Sequence, residues 1–309
     1  FTKTKEVAGL NRDFETIRLN EEFGFKKEIE FTRDIINKYK IDVIITDINH
    51  KSTASNKNNY YKYSNELSKL NPLLISFEDF NTHGTSSDYI VIPYVGADKI
   101  NISDSDKTKY LLGPKYFIIR DEFLGRGNKE IKGKAKNVLI GMGGSNLNNI
   151  TESVVDCVSG ITERLNLHIV EGPLDRLNSD YISSVLRGSN NSFKIHTSPE
   201  KMYELMEMSD LGVFSSGLTQ YEASAMGLPA IVISHNNYHK KISDEYAAMG
   251  SVISFGTYHS GREKKLRNTL NAIINDQDMR GNMSVNGRNL IDGKGTARLL
   301  VKIKDKLEE

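Results

Sequence analysis

The feature that most constrains the fold is the alternation of short apolar runs with longer helix-like segments along the second half of the chain. Runs of this length are typical of strands buried on both faces, and the segments between them supply the crossovers that parallel strands need. We predict strands at residues 138–141, 167–170, 193–196, 211–214, 230–234 and 252–255. The helices predicted between them cover 148–164, 176–187, 199–208, 219–226, 238–249 and 261–275. This order predicts a mostly parallel sheet with helices on both faces.

The first half of the chain repeats this alternation. Helices are predicted at 26–40 and 58–70, and strands at 41–47, 73–77 and 89–93. With 309 residues the chain is long enough for two domains with separate cores. The charged, glycine-containing stretch 124–136 predicts the hinge between them. We therefore expect an α/β protein with Rossmann-like domains at 1–124 and 135–297, followed by a charged amphipathic helix at 298–309.

The composition excludes several classes of partner. The 41 Lys and Arg residues nearly balance the 40 Asp and Glu residues, so no basic face is expected and nucleic acid is not a predicted partner. No apolar run approaches the roughly 18 to 20 residues that span a bilayer, so no integral membrane segment is predicted. The single cysteine, Cys157, rules out an intrachain disulfide and a cysteine-based zinc site, and it fits a reducing cytoplasmic location.

A glycine-rich turn at 141–145 lies between an apolar run and a predicted helix. Gly143, Gly144 and Ser145 belong to this turn. Such a turn is suited to bind an anion, because glycines let the backbone approach closely and the free N–H groups at a helix start favour negative charge. The turn lacks the third glycine of the dinucleotide fingerprint and the Gly-Lys-Ser/Thr of a P-loop. Taken alone, it is more often a structural strand–helix turn than a ligand site.

A second turn of this kind occurs further along the chain. Ser216, Gly217 and Leu218 follow an apolar run and open the next helix, and Glu222 lies in the first turns of that helix. A carboxylate at this place can accept hydrogen bonds from both hydroxyls of a ribose. The alternatives are a solvated surface glutamate and a partner for the helix dipole. Two such turns in one half of the chain suggest a ligand that carries both a phosphate and a sugar.

Four sets of short segments occur in an order that is found in a known enzyme family. They are the acidic strand end 75–79 with His83 and Asp88, the segment 112–123, the turn residues 142–149 with the helix 221–229, and the segment 291–295 with Arg298. Together these segments resemble the UDP-sugar hydrolase of pseudaminic acid biosynthesis and its relatives, the spore-coat polysaccharide glycosyltransferases. The resemblance extends over most of the chain from about residue 40 to residue 300.

The resemblance implies a GT-B arrangement of two Rossmann-like domains. The N-terminal domain would form the acceptor or sugar side, and the C-terminal domain would hold the nucleotide. By position, the nucleotide-binding residues would be Gly143, Gly144 and Ser145 toward the diphosphate, Ser216, Gly217 and Leu218 near the phosphates or base, and Glu222 at the ribose. Helix N-termini offset the diphosphate charge in such a fold, so no metal and no cofactor is expected.

The chain departs from the family in its first residues. The family carries a Gly-His pair followed by an arginine in its first strand-to-helix loop, and that histidine is implied to be the general base. No such pair precedes His50 here, so we expect an incomplete N-terminal domain whose first strand and helix lie upstream of Phe1 or are lost. His50 and His239 follow predicted strand ends and are the candidate catalytic residues. A surface or structural role is the more frequent one for any single histidine.

The resemblance predicts a nucleotide-sugar hydrolase that acts on a UDP-sugar in nonulosonic acid or surface-polysaccharide biosynthesis. One alternative is a glycosyltransferase that uses a nucleotide-sugar donor. The other is a non-catalytic nucleotide-sugar-binding domain of a larger protein. The residues leave open the sugar, the base, the acceptor and the oligomeric state.

Overall fold

The computed structural model describes residues 24–47, 57–77, 86–102, 109–126, 129–144, 149–174 and 176–309. The chain divides into two compact units. Unit 1 draws its residues from Phe1–Ile92, Ile100–Leu112 and Val301–Glu309, and unit 2 from Pro93–Lys99 and Gly113–Leu300. The chain therefore passes from one unit to the other after Ile92, Lys99, Leu112 and Leu300.

Unit 1 contains a parallel sheet of four strands. Its elements are α1 (Phe25–Tyr39), β1 (Val43–Asp47), α2 (Lys57–Leu67), β2 (Leu73–Phe77), β3 (Tyr89–Ile92) and β4 (Tyr110–Leu112). The strand order is β1-β2-β3-β4, with parallel pairing throughout. The inner strands β2 and β3 are buried along most of their length, and their Ile75 and Val91 are fully buried. At β1, by contrast, Ile45 is 55% exposed.

Unit 2 contains a larger parallel sheet. Its strands are β5 (Asn137–Gly141), β6 (Asn166–Glu171), β7 (Ser192–Thr197), β8 (Leu211–Ser215), β9 (Ala230–Ser234) and β10 (Ile253–Thr257). Its helices are α3 (Ile150–Ser159), α4 (Ser179–Arg187), α5 (Met202–Met208), α6 (Leu218–Ala225), α7 (Asn237–Ala248), α8 (Glu263–Asn275) and α9 (Gln277–Leu290). The strand order is β10-β9-β8-β5-β6-β7. The prediction of two α/β domains with parallel sheets is confirmed.

The final helix, α10 (Gly295–Leu307), includes most of the tail for which the sequence predicts a charged helix. It is amphipathic, because Leu299 is buried whereas Leu300 and Val301 are each 58% exposed. The longest of the described helices, α1, has 15 residues. None of the helices in the described ranges is long and apolar enough to cross a membrane.

The central strands β5, β8 and β9 of unit 2 are buried on both faces, which explains their unbroken apolar runs. Along β5, Val138 and Ile140 belong to one hydrophobic cluster, whereas Leu139 belongs to the cluster on the opposite face. All three side chains are fully buried. A strand that alternates between two apolar layers has no polar face, so its sequence reads as a continuous apolar run.

The sequence predicts neither strand β4 nor the longer element, helix α9. Its residues are mostly polar and include Gly281 and Gly287, which lower the helix propensity of the segment. The packing explains the second glycine, because a Cβ atom at Gly287 would lie 3.0 Å from the carbonyl oxygen of Ser224 in α6. The glycine therefore permits the close approach of α9 to α6.

One buried carboxylate joins the starts of β5 and β8. Asp210, which is 8% exposed, accepts hydrogen bonds from the backbone N–H groups of Lys136 and Asn137 at 2.9 and 2.8 Å. Burial acts to raise the pKa of Asp210, but these N–H groups and the nearby Lys132 ammonium outweigh it, and the pKa is lowered. The two central strands are thus tied together at their amino ends.

A buried guanidinium fixes the segment that leads into β5. Arg280 of α9 is only 1% exposed. It donates to the carbonyls of Ile273 and Ile274 at the end of α8, and to those of Lys132 and Gly133 just before β5. The side chain satisfies carbonyls that the end of a helix leaves free, and it joins two parts of unit 2 that are distant in sequence.

We expect Arg280→Met to lower the free energy of unfolding of unit 2 by about 3 kcal/mol, because the methionine retains the packing volume but leaves several buried carbonyls without donors. Urea unfolding followed by circular dichroism measures the change. Arg187→Met, at an exposed position at the end of α4, is the matched control and should change stability by less than about 0.5 kcal/mol. Equal effects of the two substitutions would contradict the assignment of Arg280.

Candidate functional site

The order of strands in unit 2 creates a switch point between β5 and β8. From β5 the chain continues to β6 and β7 on one side of the sheet, and β8, β9 and β10 follow on the other side. The loops that leave the carboxyl ends of β5 and β8 therefore diverge, and ligands of open α/β sheets bind in the crevice outside this point. Both predicted glycine turns lie here. They are neighbours in space, because a Cβ atom at Gly143 would lie 3.2 Å from the hydroxyl oxygen of Ser215.

The turn after β5 rests on the turn after β6. Gly143 has a φ of +81°, a conformation that favours glycine. A Cβ atom at Gly172 would lie 2.2 Å from the carbonyl oxygen of Gly143, so a glycine is also required in the supporting turn. The backbone N–H of Leu174 donates to the carbonyl of Gly144 at 3.0 Å. These contacts position the backbone of the first glycine turn.

Gly144 is different, because nothing in the described structure requires a glycine there. Its φ is not in the left-handed region, and no described atom lies within 4 Å of the position that a Cβ would take. Its open side is available to a ligand. Ser145, which the sequence places beside it, lies outside the described residues.

The start of α6 is also open. Gly217 has a φ of 177°, an extended conformation that any residue adopts, and no atom of the described residues lies within 4 Å of its Cβ position. Leu218 is 61% exposed. The hydroxyl of Ser216 is buried and has no hydrogen-bond partner among the described residues. Together with the free N–H groups of the first helical turn, these features leave several donors beside an open surface.

Glu222 lies one turn further along α6, on the same side of the helix as Leu218. Its side chain is 13% exposed, and its Oε1 accepts a hydrogen bond from Nη2 of Arg120 at 2.9 Å. Nη1 of Arg120 lies 2.8 Å from Oε1 of Glu122. Burial raises the pKa of Glu222, and the Arg120 guanidinium partly offsets this effect. Glu222 is therefore a mostly buried carboxylate with one cationic partner.

Sequence reasoning missed Arg120. The residue lies in the segment 112–123 that carries part of the resemblance, but sequence spacing offers no sign that it reaches α6. The structure shows how it does so: the ring of Phe117 stacks on that of Tyr221, with centroids 4.2 Å apart and planes 7° apart. The Arg120 guanidinium lies 4.7 Å from the ring centroid of Phe123. These aromatic contacts hold the segment along α6.

Two histidines follow β9, His235 in the loop and His239 in the first turn of α7. The side chain of Asn236 caps α7 by accepting a hydrogen bond from the backbone N–H of His239 at 2.9 Å. The rings of His235 and His239 have centroids 6.2 Å apart. Burial lowers the pKa of His235, and its Nδ1 has no hydrogen-bond partner in the described part of the chain. His50, the other candidate catalytic residue, lies outside the described residues.

Comparison with solved structures identifies the fold. The chain is similar to Acinetobacter baumannii MurG (TM-score 0.68, 13% identity, 94% of this chain and 81% of that chain). It is also similar to a putative UDP-N-acetylglucosamine 2-epimerase from Listeria monocytogenes (0.67, 14%, 94% and 83%). A third match is the UDP-GlcNAc 2-epimerase of Neisseria meningitidis bound to UDP-GlcNAc (0.60, 15%, 93% and 83%). The two parallel-sheet α/β units match the GT-B fold of these solved structures, as predicted.

Comparison of sequences identifies two relatives, whereas no protein-family model matches the chain. An uncharacterized protein of Methanocaldococcus jannaschii is 31% identical over 261 residues, which are 80% of this chain and 52% of the archaeal protein. The match thus spans about half the length of that relative. The spore coat polysaccharide biosynthesis protein SpsG of Bacillus subtilis is 24% identical over 243 residues, which are 76% of this chain and 70% of SpsG. The predicted similarity to spore-coat polysaccharide proteins is confirmed.

Replacing Arg120 should shift the titration of Glu222 in a defined direction. We expect Arg120→Gln to raise the pKa of Glu222 further, because the substitution removes the cation that stabilises the carboxylate. Glu122→Gln is a control of opposite sign: Glu122 raises the pKa of Glu222, so its neutralisation should lower that pKa. NMR titration of the Glu222 carboxyl carbon measures both shifts. A lower or unchanged pKa in Arg120→Gln would contradict the pairing.

Proposed function

We propose that this chain binds a nucleoside diphosphate sugar, with UDP as the preferred nucleotide, at the carboxyl edge of the sheet in unit 2. The proposal rests on two glycines at the switch point, Gly144 and Gly217. Neither has a φ in the left-handed region, and no described atom lies within 4 Å of the position that a Cβ would take, so neither packing nor backbone conformation requires a glycine there. A glycine without such a requirement is explained if a ligand approaches the backbone at that place.

The diphosphate would lie against the two glycine turns. The first turn of α6 offers free N–H groups and the positive end of the helix dipole, and the unpartnered hydroxyl of Ser216 adds a donor. Ser145 remains a proposed contact on the other turn. These neutral donors balance part of the phosphate charge, so the proposal requires no metal ion.

The ribose would lie beside Glu222. A carboxylate accepts hydrogen bonds from both ribose hydroxyls only in its ionised form, and the Arg120 guanidinium favours that form. The exposed Leu218 lies on the same side of α6 and would cover an apolar face of the ribose or base. This combination of a carboxylate with open backbone donors on one helix favours a nucleotide over a free phosphate.

The reaction that we propose is cleavage of the bond between the sugar and the diphosphate. Hydrolysis by water follows from the resemblance to the UDP-sugar hydrolase of pseudaminic acid biosynthesis. Transfer of the sugar to a hydroxyl acceptor is the second candidate reaction, and the match to SpsG supports it. Either reaction would place the chain in the synthesis of a surface polysaccharide or a nonulosonic acid. We propose His239 as the proton acceptor of this reaction. Three further points remain predictions: the domain ranges 1–124 and 135–297, the catalytic role of His50, and the cytoplasmic location.

Calorimetric titration with UDP, CDP, GDP and dTDP tests the nucleotide site without any knowledge of the sugar. We expect one diphosphate, UDP, to bind selectively, and Glu222→Ala to weaken its binding by about 10- to 150-fold. Glu122→Ala removes a second carboxylate from Arg120 and should leave the affinity within about threefold. If Glu222→Ala binds UDP as tightly as the parent chain, the ribose assignment is wrong.

Valine at position 144 tests the approach of the phosphate. Because no described atom lies within 4 Å of the Cβ position, we expect Gly144→Val to keep its thermal stability and to lose at least about tenfold in affinity for UDP. Gly281→Ala, in α9, has equal room and should keep both properties. Unchanged affinity in Gly144→Val would remove this turn from the site.

Release of UDP from UDP-sugars then separates the proposed activities. Release in water alone supports the hydrolase, whereas release that needs a saccharide acceptor supports the transferase. Binding of UDP with no release under either condition supports a binding domain without chemistry of its own. We expect His239→Gln to slow release while UDP still binds, and release at the parental rate would exclude His239 as the base.

A further inference from the structure

The strands β6 and β7 carry two histidines that the proposed nucleotide site does not use. His168 of β6 pairs in register with Lys194 of β7, and His196 lies two positions further along β7. Alternate residues of a strand point to the same face, so both imidazoles project from one face of the sheet as diagonal neighbours. Both rings are partly buried.

This face of the two strands is polar. Next to the histidines, Nδ2 of Asn166 donates to Oδ1 of Asn137 at 3.0 Å, and the hydroxyl of Ser192 donates to Oδ1 of Asn166 at 2.6 Å. On the opposite face, Leu167 and Ile169 of β6 are buried in the hydrophobic core. The histidines therefore belong to a polar surface rather than to the packing of the core.

The two rings present nitrogen atoms to each other at a chelating distance. Nδ1 of His168 lies 3.1 Å from Nε2 of His196. Two imidazole nitrogens at about 2.0 to 2.1 Å from one zinc ion are separated by about 3.4 Å in a tetrahedral site, and by about 2.9 Å in a square-planar site of the copper or nickel type. The observed separation lies between these values, so a single ion fits once each imidazole rotates to direct its facing nitrogen toward a common point.

We propose that His168 and His196 form a two-imidazole site for a divalent first-row transition metal ion of the zinc, nickel or copper type, whose remaining positions are filled by water or by an added ligand. This site is independent of the proposed nucleotide site. Among the described residues no group of three or more His, Cys, Asp or Glu side chains could hold a metal, so the pair is the complete set of protein ligands that we assign.

The protonation of the pair is compatible with ligation. In the metal-free pair one facing nitrogen carries a hydrogen and donates it to the other. On metal binding that hydrogen moves to the second nitrogen of its own ring through exchange with water, which leaves a lone pair on each facing atom and requires no other reactant.

One nearby cation opposes binding. Lys194 lies directly across from His168 in the register of the two strands, and its ammonium would repel a bound cation. The site should therefore be of moderate affinity. Removing the charge of Lys194 should make metal binding tighter. A variant that merely fails to fold would bind more weakly, so the two effects can be told apart.

Calorimetric titration with zinc, nickel and copper chlorides tests the site on the intact chain. We expect one ion per chain, with copper bound most tightly. His168→Gln and His196→Gln should each lose at least about tenfold in affinity, and the double variant should lose little more. Lys194→Gln should bind severalfold more tightly. His239→Gln, which breaks the other histidine pair, should bind as the parent does.

Two results would overturn the proposal. One is the absence of saturable binding of all three ions at millimolar concentration. The other is binding that survives in the double variant His168→Gln/His196→Gln, or that disappears in His239→Gln. Histidine ring nitrogen signals measured during a zinc titration locate the ion directly, and those of His168 and His196 must move first.

Discussion

The carboxylate of Asp210 ties the start of β8 to the start of β5. A charge buried to this degree is stable only when its hydrogen-bonding capacity is filled, and here backbone N–H groups at the start of β5 fill it. Arg280 acts in a similar way from the other direction, because its buried cation is matched by carbonyl dipoles. These two groups fix the amino ends of the central strands, whose carboxyl ends carry the switch point and the two glycine turns.

Helix α6 packs in unit 2 with one side and carries residues of the proposed nucleotide site on the other. One side of the helix is buried through Tyr221, which contacts the aromatic ring of Phe117, and through the close approach of α9 at Gly287. The other side presents Leu218 and Glu222. A helix that is fixed on one side by aromatic stacking and backbone contact positions the groups on its open side more accurately than a loop would.

The apolar runs predicted the central sheet of unit 2 because β5, β8 and β9 are buried on both faces, as Leu139 on the face opposite Val138 and Ile140 illustrates. The same reasoning failed for α9, whose residues are mostly polar and which approaches α6 closely at Gly287. The glycine turns were recognisable in the sequence because strand–turn–helix order is local. The pairing of Arg120 with Glu222 was not, since it joins residues 102 positions apart through aromatic packing that has no local signal.

The contact between Gly172 and the carbonyl of Gly143 has a consequence for the thermodynamics of binding. A backbone that is held against a neighbouring turn before any ligand arrives has already lost the conformational entropy that a free loop would lose on association. The conformational entropy of this part of the turn is therefore lost when the protein folds and not when the ligand binds. Affinity for any anion at the turn then depends mainly on the exchange of water for N–H donors, and it should vary little with the conformational preferences of the residues around it.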